Sequence, residues 1–198
     1  MITPITERRP YRILVVDDDE SCSRIIQVTL ERANYEVLTA STGPGALALI
    51  ERHGLPHLAI VDLLMPGMNG FEFCEIVQAY SDLPVIMLTA VSRPESVVRG
   101  LQLYAEDYVT KPFNPNELRV RVDRIMRRIG DFSYALTPII EVDDHLQVDF
   151  PHQRVILDQD ERALTPTESK LLHILMRNAG HTLHAAFVID RLWPLEEV

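Results

Sequence analysis

Apolar positions fall into two alternating rhythms over the first 129 residues. Short continuous apolar runs appear at RILVV (12–16), YEVLTA (35–40), HLAIV (57–61), PVIML (84–88) and DYVT (107–110). Runs of this length without strict alternation suit strands that are covered on both faces. The gaps carry the helical period, in SCSRIIQVTLERA, GPGALALIERH, NGFEFCEIVQAY, PESVVRGLQLY and PNELRVRVDRIMRR. Two of these segments open with helix-start signals: Ser92 three residues before Glu95, and Asn114 before Pro115 and Glu117. Five strand–helix repeats predict a parallel sheet between two helical layers, and right-handed crossovers leave few topologies.

The rhythm breaks after Arg128. GDFSYALTP (130–138) has little periodicity and reads as a linker. IIEV, HLQVDF, RVILD and RAL, between 139 and 164, predict short antiparallel strands. A helix follows, with Thr165 as cap, Pro166 as its first residue and Glu168 as the reciprocal acceptor. Leu171, Leu172, Leu175 and Met176 share one predicted face, and Gly180 supplies the stop. A last helix near 185–193 carries Phe187, Val188, Leu192 and Trp193.

Composition narrows the function. The 198 residues carry a formal charge of −10, and 46% of them are apolar. Residues 1–131 hold 14 basic and 18 acidic side chains; residues 132–198 hold 5 and 11. Such a chain is no natural sequence-independent binder of nucleic acid. No apolar run approaches a membrane span, and the N-terminus lacks a signal-peptide pattern, so a soluble cytoplasmic protein without a membrane partner is expected. Cys22 and Cys74 have no metal-ligand spacing and read as helix-buried thiols.

Polar residues interrupt the apolar runs where strands end. Asp17, Asp18 and Asp19 follow the first strand, Asp62 the third, Thr89 the fourth and Lys111 the fifth. In an open parallel sheet the carboxyl ends of the strands form the usual ligand crevice. Clustered carboxylates repel unless a cation neutralises them, and oxygen donors of this kind suit Mg²⁺. A carboxylate can attack phosphorus, while an ammonium group and a hydroxyl hold the phosphoryl oxygens. Each residue also has a plain structural reading: Asp18 or Asp19 as a helix cap, Thr89 as a strand end, Lys111 as a solvated charge.

The strings ILVVDDDE, VDLLMPGMNGFE, VIMLTA and DYVTKPF resemble the receiver domain of two-component response regulators, over residues 11–129. The resemblance implies a flavodoxin-like sheet of order 2-1-3-4-5 and a cis Lys111–Pro112 bond. It implies Asp62 as phosphoacceptor, with Asp17, Asp18, Asp62 and the Leu64 carbonyl at a Mg²⁺ site. Thr89 becomes the switch hydroxyl, Lys111 the phosphate-pairing lysine and Tyr108 the switch aromatic. The implied partners are a sensor histidine kinase and, on phosphorylation, a second copy. The copies would meet through the face of the fourth helix, fifth strand and fifth helix, where Arg99, Asp107, Glu117 and Arg121 stand. Tyr104-Ala105-Glu106 departs from the family's small Gly-Ala-Asp step. Leu64 and Val91 cannot orient an attacking water, so a long-lived phosphoryl group is expected.

RVILDQDERALTPTESKLLHILMRNAGHTL and VIDRLW resemble the start of the winged-helix effector domain of the OmpR/PhoB subfamily. The expected layout is a tail (1–10), a receiver (11–129), a linker (130–138) and an incomplete winged-helix domain (139–198). That last part would lack its recognition helix and wing, so promoter DNA is a partner only for a complete domain. The absence would also leave Leu171, Leu175, Phe187 and Trp193 without a helix to cover them. Two other readings stay open: a phosphorelay or scaffold protein acting only through protein contacts, and a Mg²⁺-dependent phosphatase using Asp17 and Asp19. The second leaves Asp62 unexplained.

Overall fold

The structure is a computed structural model that describes residues 11–90, 104–129 and 139–193. Its first sheet contains β1 (Arg12–Val16), β2 (Glu36–Ala40), β3 (Leu58–Asp62), β4 (Val85–Thr89) and β5 (Asp107–Thr110). All pairs are parallel and the order is β2-β1-β3-β4-β5, the flavodoxin-like arrangement. The helices are α1 (Glu20–Glu31), α2 (Gly43–His53), α3 (Gly70–Tyr80) and α4 (Pro115–Ile129). The fourth predicted helix, with Arg99 and its start signal Ser92, lies outside the described residues apart from Tyr104. So do Val91 and the predicted linker.

The alternation of side chains along each strand divides the core into two layers. Leu14, Val16, Ala59, Val61, Val85 and Met87 face one side, with Ala46, Ile50, Phe73, Cys74 and Val77 from α2 and α3. Ile13, Val15, Leu58, Ile60, Ile86, Leu88 and Val109 face the other, with Ile26, Leu30, Leu118, Val122 and Ile125 from α1 and α4. Burying both faces explains why the strand text is continuously apolar, since no position has a solvent side to alternate with.

A second, antiparallel sheet of β6 (Ile140–Glu141), β7 (Leu146–Asp149), β8 (Arg154–Leu157) and β9 (Asp160–Ala163) follows in simple meander order. Two helices close the described chain, α5 (Pro166–Arg177) and α6 (Ala185–Leu192). Thr165 and Glu168 form the expected reciprocal cap of α5. The first core layer runs on without a break into Ile140, Val148 and Phe150 of this second part.

Of the apolar face predicted for α5, Leu172 and Met176 pack against the first core layer. Ser169, His173 and Ile174 are buried, whereas Leu175 is exposed. The helix packs on α3, and its polar residues meet polar groups at the end of that helix. Leu175, Phe187, Ile189 and Trp193 stay exposed.

Candidate functional site

The carboxyl ends of β1, β3, β4 and β5 converge. The backbone N–H of Asp17 donates to the Ala40 carbonyl at 3.1 Å, that of Leu63 to the Leu88 carbonyl at 2.8 Å and that of Lys111 to the Thr89 carbonyl at 2.7 Å. These bonds continue the sheet one step past the strands, so the side chains leave it from fixed positions. The following peptide, Lys111–Pro112, is cis, as expected.

The three consecutive aspartates have separate jobs. Asp17 is almost fully buried, Asp18 is exposed, and Asp19 caps α1 by accepting from the backbone N–H groups of Ser21 and Cys22. The plain structural reading of an aspartate cap therefore holds for Asp19 alone among them. Asp17 also accepts from the Asp19 N–H at 3.0 Å, which folds the turn back on the carboxylate.

Lys111 joins the site into one ionic unit. Its Nζ donates to Asp17 Oδ2 at 2.7 Å and to Asp62 Oδ2 at 2.6 Å, across 94 and 49 residues of chain. Burial by itself would lower the lysine's pKa. The hydrogen bonds and charges of Asp17 and Asp62 outweigh it and push the pKa above its usual range. The ammonium is therefore fully charged at neutral pH. Cys22 lies close by, and burial first, then a hydrogen bond to Asp17, pushes its thiol up to about 12. It stays protonated and is no nucleophile at neutral pH.

Oxygens of Asp17, Asp18 and Asp62 lie within 4.8 Å of one another. Three carboxylates against one lysine leave a surplus of negative charge, and the donors are all hard oxygens. This set fits Mg²⁺, which takes few protein oxygens and keeps water for the rest. Leu64 is exposed, and its backbone N–H donates to Asp62 Oδ1 at 3.1 Å. Thr89 is buried at the end of β4, and Tyr108 is partly exposed on β5.

The loop after Asp62 depends on one glycine. The Gly70 N–H donates to the Leu63 carbonyl at 3.0 Å, and a Cβ at Gly70 would stand 2.5 Å from the Asp62 carbonyl oxygen. That spacing lets α3 begin directly against the end of β3. Asn69 and Glu72 form a reciprocal cap there, a pairing the spacing Asn-x-x-Glu could have revealed.

The charged residues expected at a dimer face are paired within the chain. Arg121 donates to Asp107 at 3.0 and 3.1 Å and to Glu117 at 2.7 Å, and Arg124 also reaches Asp107. Arg99 is outside the described residues.

The fold and its acidic pocket define an open parallel α/β domain with a cation-ready crevice at its strand ends. Residues 13–123 match the family model described as the response regulator receiver domain. The chain is 36% identical over 190 residues to "Probable transcriptional regulator ycf27" of Galdieria sulphuraria, covering 94% of this chain and 74% of that one. It is 35% identical over 186 residues to "Sensory transduction protein RegX3" of Mycobacterium tuberculosis, covering 94% and 82%. Among solved structures, CheY4, a chemotaxis response regulator of Vibrio cholerae, shares 36% identity at a TM-score of 0.54. That match covers 59% of this chain and 98% of the other. A response regulator from Chloroflexus aurantiacus shares 38% at 0.55, covering 60% and 99%. The chain belongs to the response regulators, with relatives of the OmpR/PhoB type. Among the described residues no helix is long and apolar enough to cross a membrane.

The sequence reading missed a second polar cluster, at the opposite end of the sheet. Asp82, in the turn between α3 and β4, meets Arg177 and Arg191 from the second part of the chain. No motif marks these residues. Only the burial of a carboxylate between two arginines makes them visible.

Proposed function

We propose that Asp62 accepts a phosphoryl group from the phosphohistidine of a sensor histidine kinase, and that the receiver thereby controls transcription through a winged-helix part begun at about residue 139. The observation that carries this reading is the Lys111 ammonium joining Asp17 and Asp62 at the strand ends. An Asp62 carboxylate oxygen attacks phosphorus, the P–N bond breaks, and the imidazole leaves with its electron pair and takes up a proton. Asp17, Asp18 and Asp62, with the Leu64 carbonyl as a further donor, would hold Mg²⁺, which would supply positive charge to the transferring group. Lys111 gives up one of its carboxylate partners to pair with a phosphoryl oxygen, so its charge is already in place. Thr89 donates a hydrogen bond to another.

The switch follows from added charge. Thr89 is drawn toward the phosphoryl group, and Tyr108 turns inward from its exposed position. That motion alters the face bearing Asp107, Glu117 and Arg121, through which two phosphorylated copies pair. Pairing exchanges the ionic contacts now made within the chain for contacts between copies, with little net energy from the charges themselves. The domain layout is 11–129 for the receiver and 139–198 for the effector part, joined by 130–138.

The rival phosphatase reading needs Asp19 free as an acid or base. Its carboxylate accepts two backbone hydrogen bonds at the start of α1, which favours Asp62 as the reacting group. The test is incubation with a small-molecule phosphodonor and Mg²⁺, read by intact mass. One phosphate is expected on the parent chain and none on Asp62→Asn. Uptake by Asp62→Asn together with its loss in Asp17→Asn defeats the proposal.

A further inference from the structure

The end of the sheet opposite Asp62 holds an ionic clasp between the two parts of the chain. The backbone N–H of Asp82 donates to His173 Nδ1 at 2.8 Å. The Asp82 carboxylate accepts from Arg177, which also reaches the Asp82 carbonyl, and from Arg191 at 3.1 Å. Ser169 Oγ donates to the Tyr80 carbonyl at 2.9 Å. Arg191 reaches on to Glu106, just before β5, at 3.5 Å. The Phe150 ring stands edge-on to His173, with centroids 4.9 Å apart. This joins the turn after α3 to α5, α6 and the second sheet in one contact.

His173 is the vulnerable member. Its Nδ1 accepts a hydrogen bond, so in the docked state that nitrogen carries no proton. The charged groups around it are already unbalanced. Its own helix supplies Lys170 and Arg177, α6 supplies Arg191, and the loop before β3 supplies His57. Asp82 and Glu106 are the acids that face them. The second sheet offers the uncharged Phe150, and its neighbour Asp149 is engaged by His152 and Arg154. A proton on His173 would break the Asp82 bond and add to a surplus of cations. A crevice of about 200 Å³, lined by Gln78, Asp82, Glu106, Lys170 and Arg191 among others, adjoins the acid side of the contact.

We infer that the Asp82–His173 clasp holds the effector part against the receiver at neutral pH and releases it on acidification, independently of phosphorylation at Asp62. Burial holds the His173 pKa well below its ordinary 6.5, whereas His57 accepts from the Arg12 N–H within the receiver and takes no part in the release. The sign follows. A histidine depressed in the docked state favours docking above about pH 6.5 and loses that contribution as pH falls. Below this point each pH unit lowers the docking constant about tenfold through His173.

Small-angle scattering of the full chain from pH 8 to pH 5 reads the release as a rise in radius of gyration, with circular dichroism following the helices in parallel. The parent chain should be compact at pH 8 and open progressively as pH falls from about 6.5 to 5, with its helix signal intact. His173→Asn keeps an acceptor and cannot gain a proton, so it should stay compact throughout. Asp82→Ala should be extended at every pH. A parent chain compact at pH 5, opening only with loss of helix, or an Asp82→Ala chain compact at pH 8 overturns the inference. So does a His173→Asn chain that opens over the parent's pH range. If His173→Asn is already extended at pH 8, NMR titration of the parent decides. The His173 imidazole must then titrate together with the opening, and separate midpoints overturn the inference.

Discussion

The two ends of the parallel sheet use the same side chains in opposite proportion. At the carboxyl ends of the strands, three aspartates surround one lysine. At the other end, one buried aspartate is held by two arginines. The first arrangement leaves uncompensated negative charge at a fixed point, which suits a cation. The second is over-compensated and saturated by hydrogen bonds. It recruits nothing and serves to hold two parts of the chain together. Local stoichiometry of charge, more than the identity of the residues, separates a reactive crevice from a mechanical joint.

That contrast can be broken at either end. The largest effect is expected at the joint. Asp82→Ala removes the acid that Arg177 and Arg191 share, and losing one member of a buried pair costs about 3–5 kcal/mol. A double-mutant cycle with Arg177→Ala, read by chemical denaturation, should show strong coupling; additive effects would mean the pair is independent. At the reactive end, Lys111→Ala should slow phosphate uptake about 100-fold, the scale of losing one preorganised charge at the transferring group. Mg²⁺ affinity should hold or rise in that variant, because the competing ammonium is gone. Weaker Mg²⁺ binding would show that Lys111 organises the carboxylates more than it competes for them.

A smaller change is expected from Leu64→Asn. The exposed apolar side chain two residues after Asp62 cannot position water, and a carboxamide can. Loss of the phosphoryl group should become several-fold faster, followed by intact mass over time; an unchanged rate removes Leu64 from the account. The smallest effect is expected at Glu106, whose contact with Arg191 is long and partly exposed. Glu106→Gln should alter stability by about 0.2–1 kcal/mol. A larger loss would make Glu106 a full member of the clasp and would tie the joint more firmly to β5.

Much of the site was legible in the sequence because it lies at strand ends. A parallel sheet forces the residues after successive strands to one edge, so Asp17, Asp62, Thr89 and Lys111 follow from strand placement alone. The division of labour among Asp17, Asp18 and Asp19 was not legible. Which one is buried, exposed or capping depends on where the chain turns into α1. The second part shows the opposite case. Its strands, the cap of α5 and the exposure of Leu175, Phe187 and Trp193 were readable from local signals, whereas the polar contacts of α5 were not. No periodicity marks Ser169 and His173, yet the helix presents them to the polar end of α3.

By itself, then, the sequence determined the βα repeat, the strand order's acidic edge and the helix starts, because short-range spacing and side-chain polarity encode them. Only the tertiary structure decided that Lys111 bridges Asp17 and Asp62, and that Asp82 waits for two arginines about a hundred residues away. Such contacts carry no local pattern. They arise when distant charges are buried together and must compensate one another.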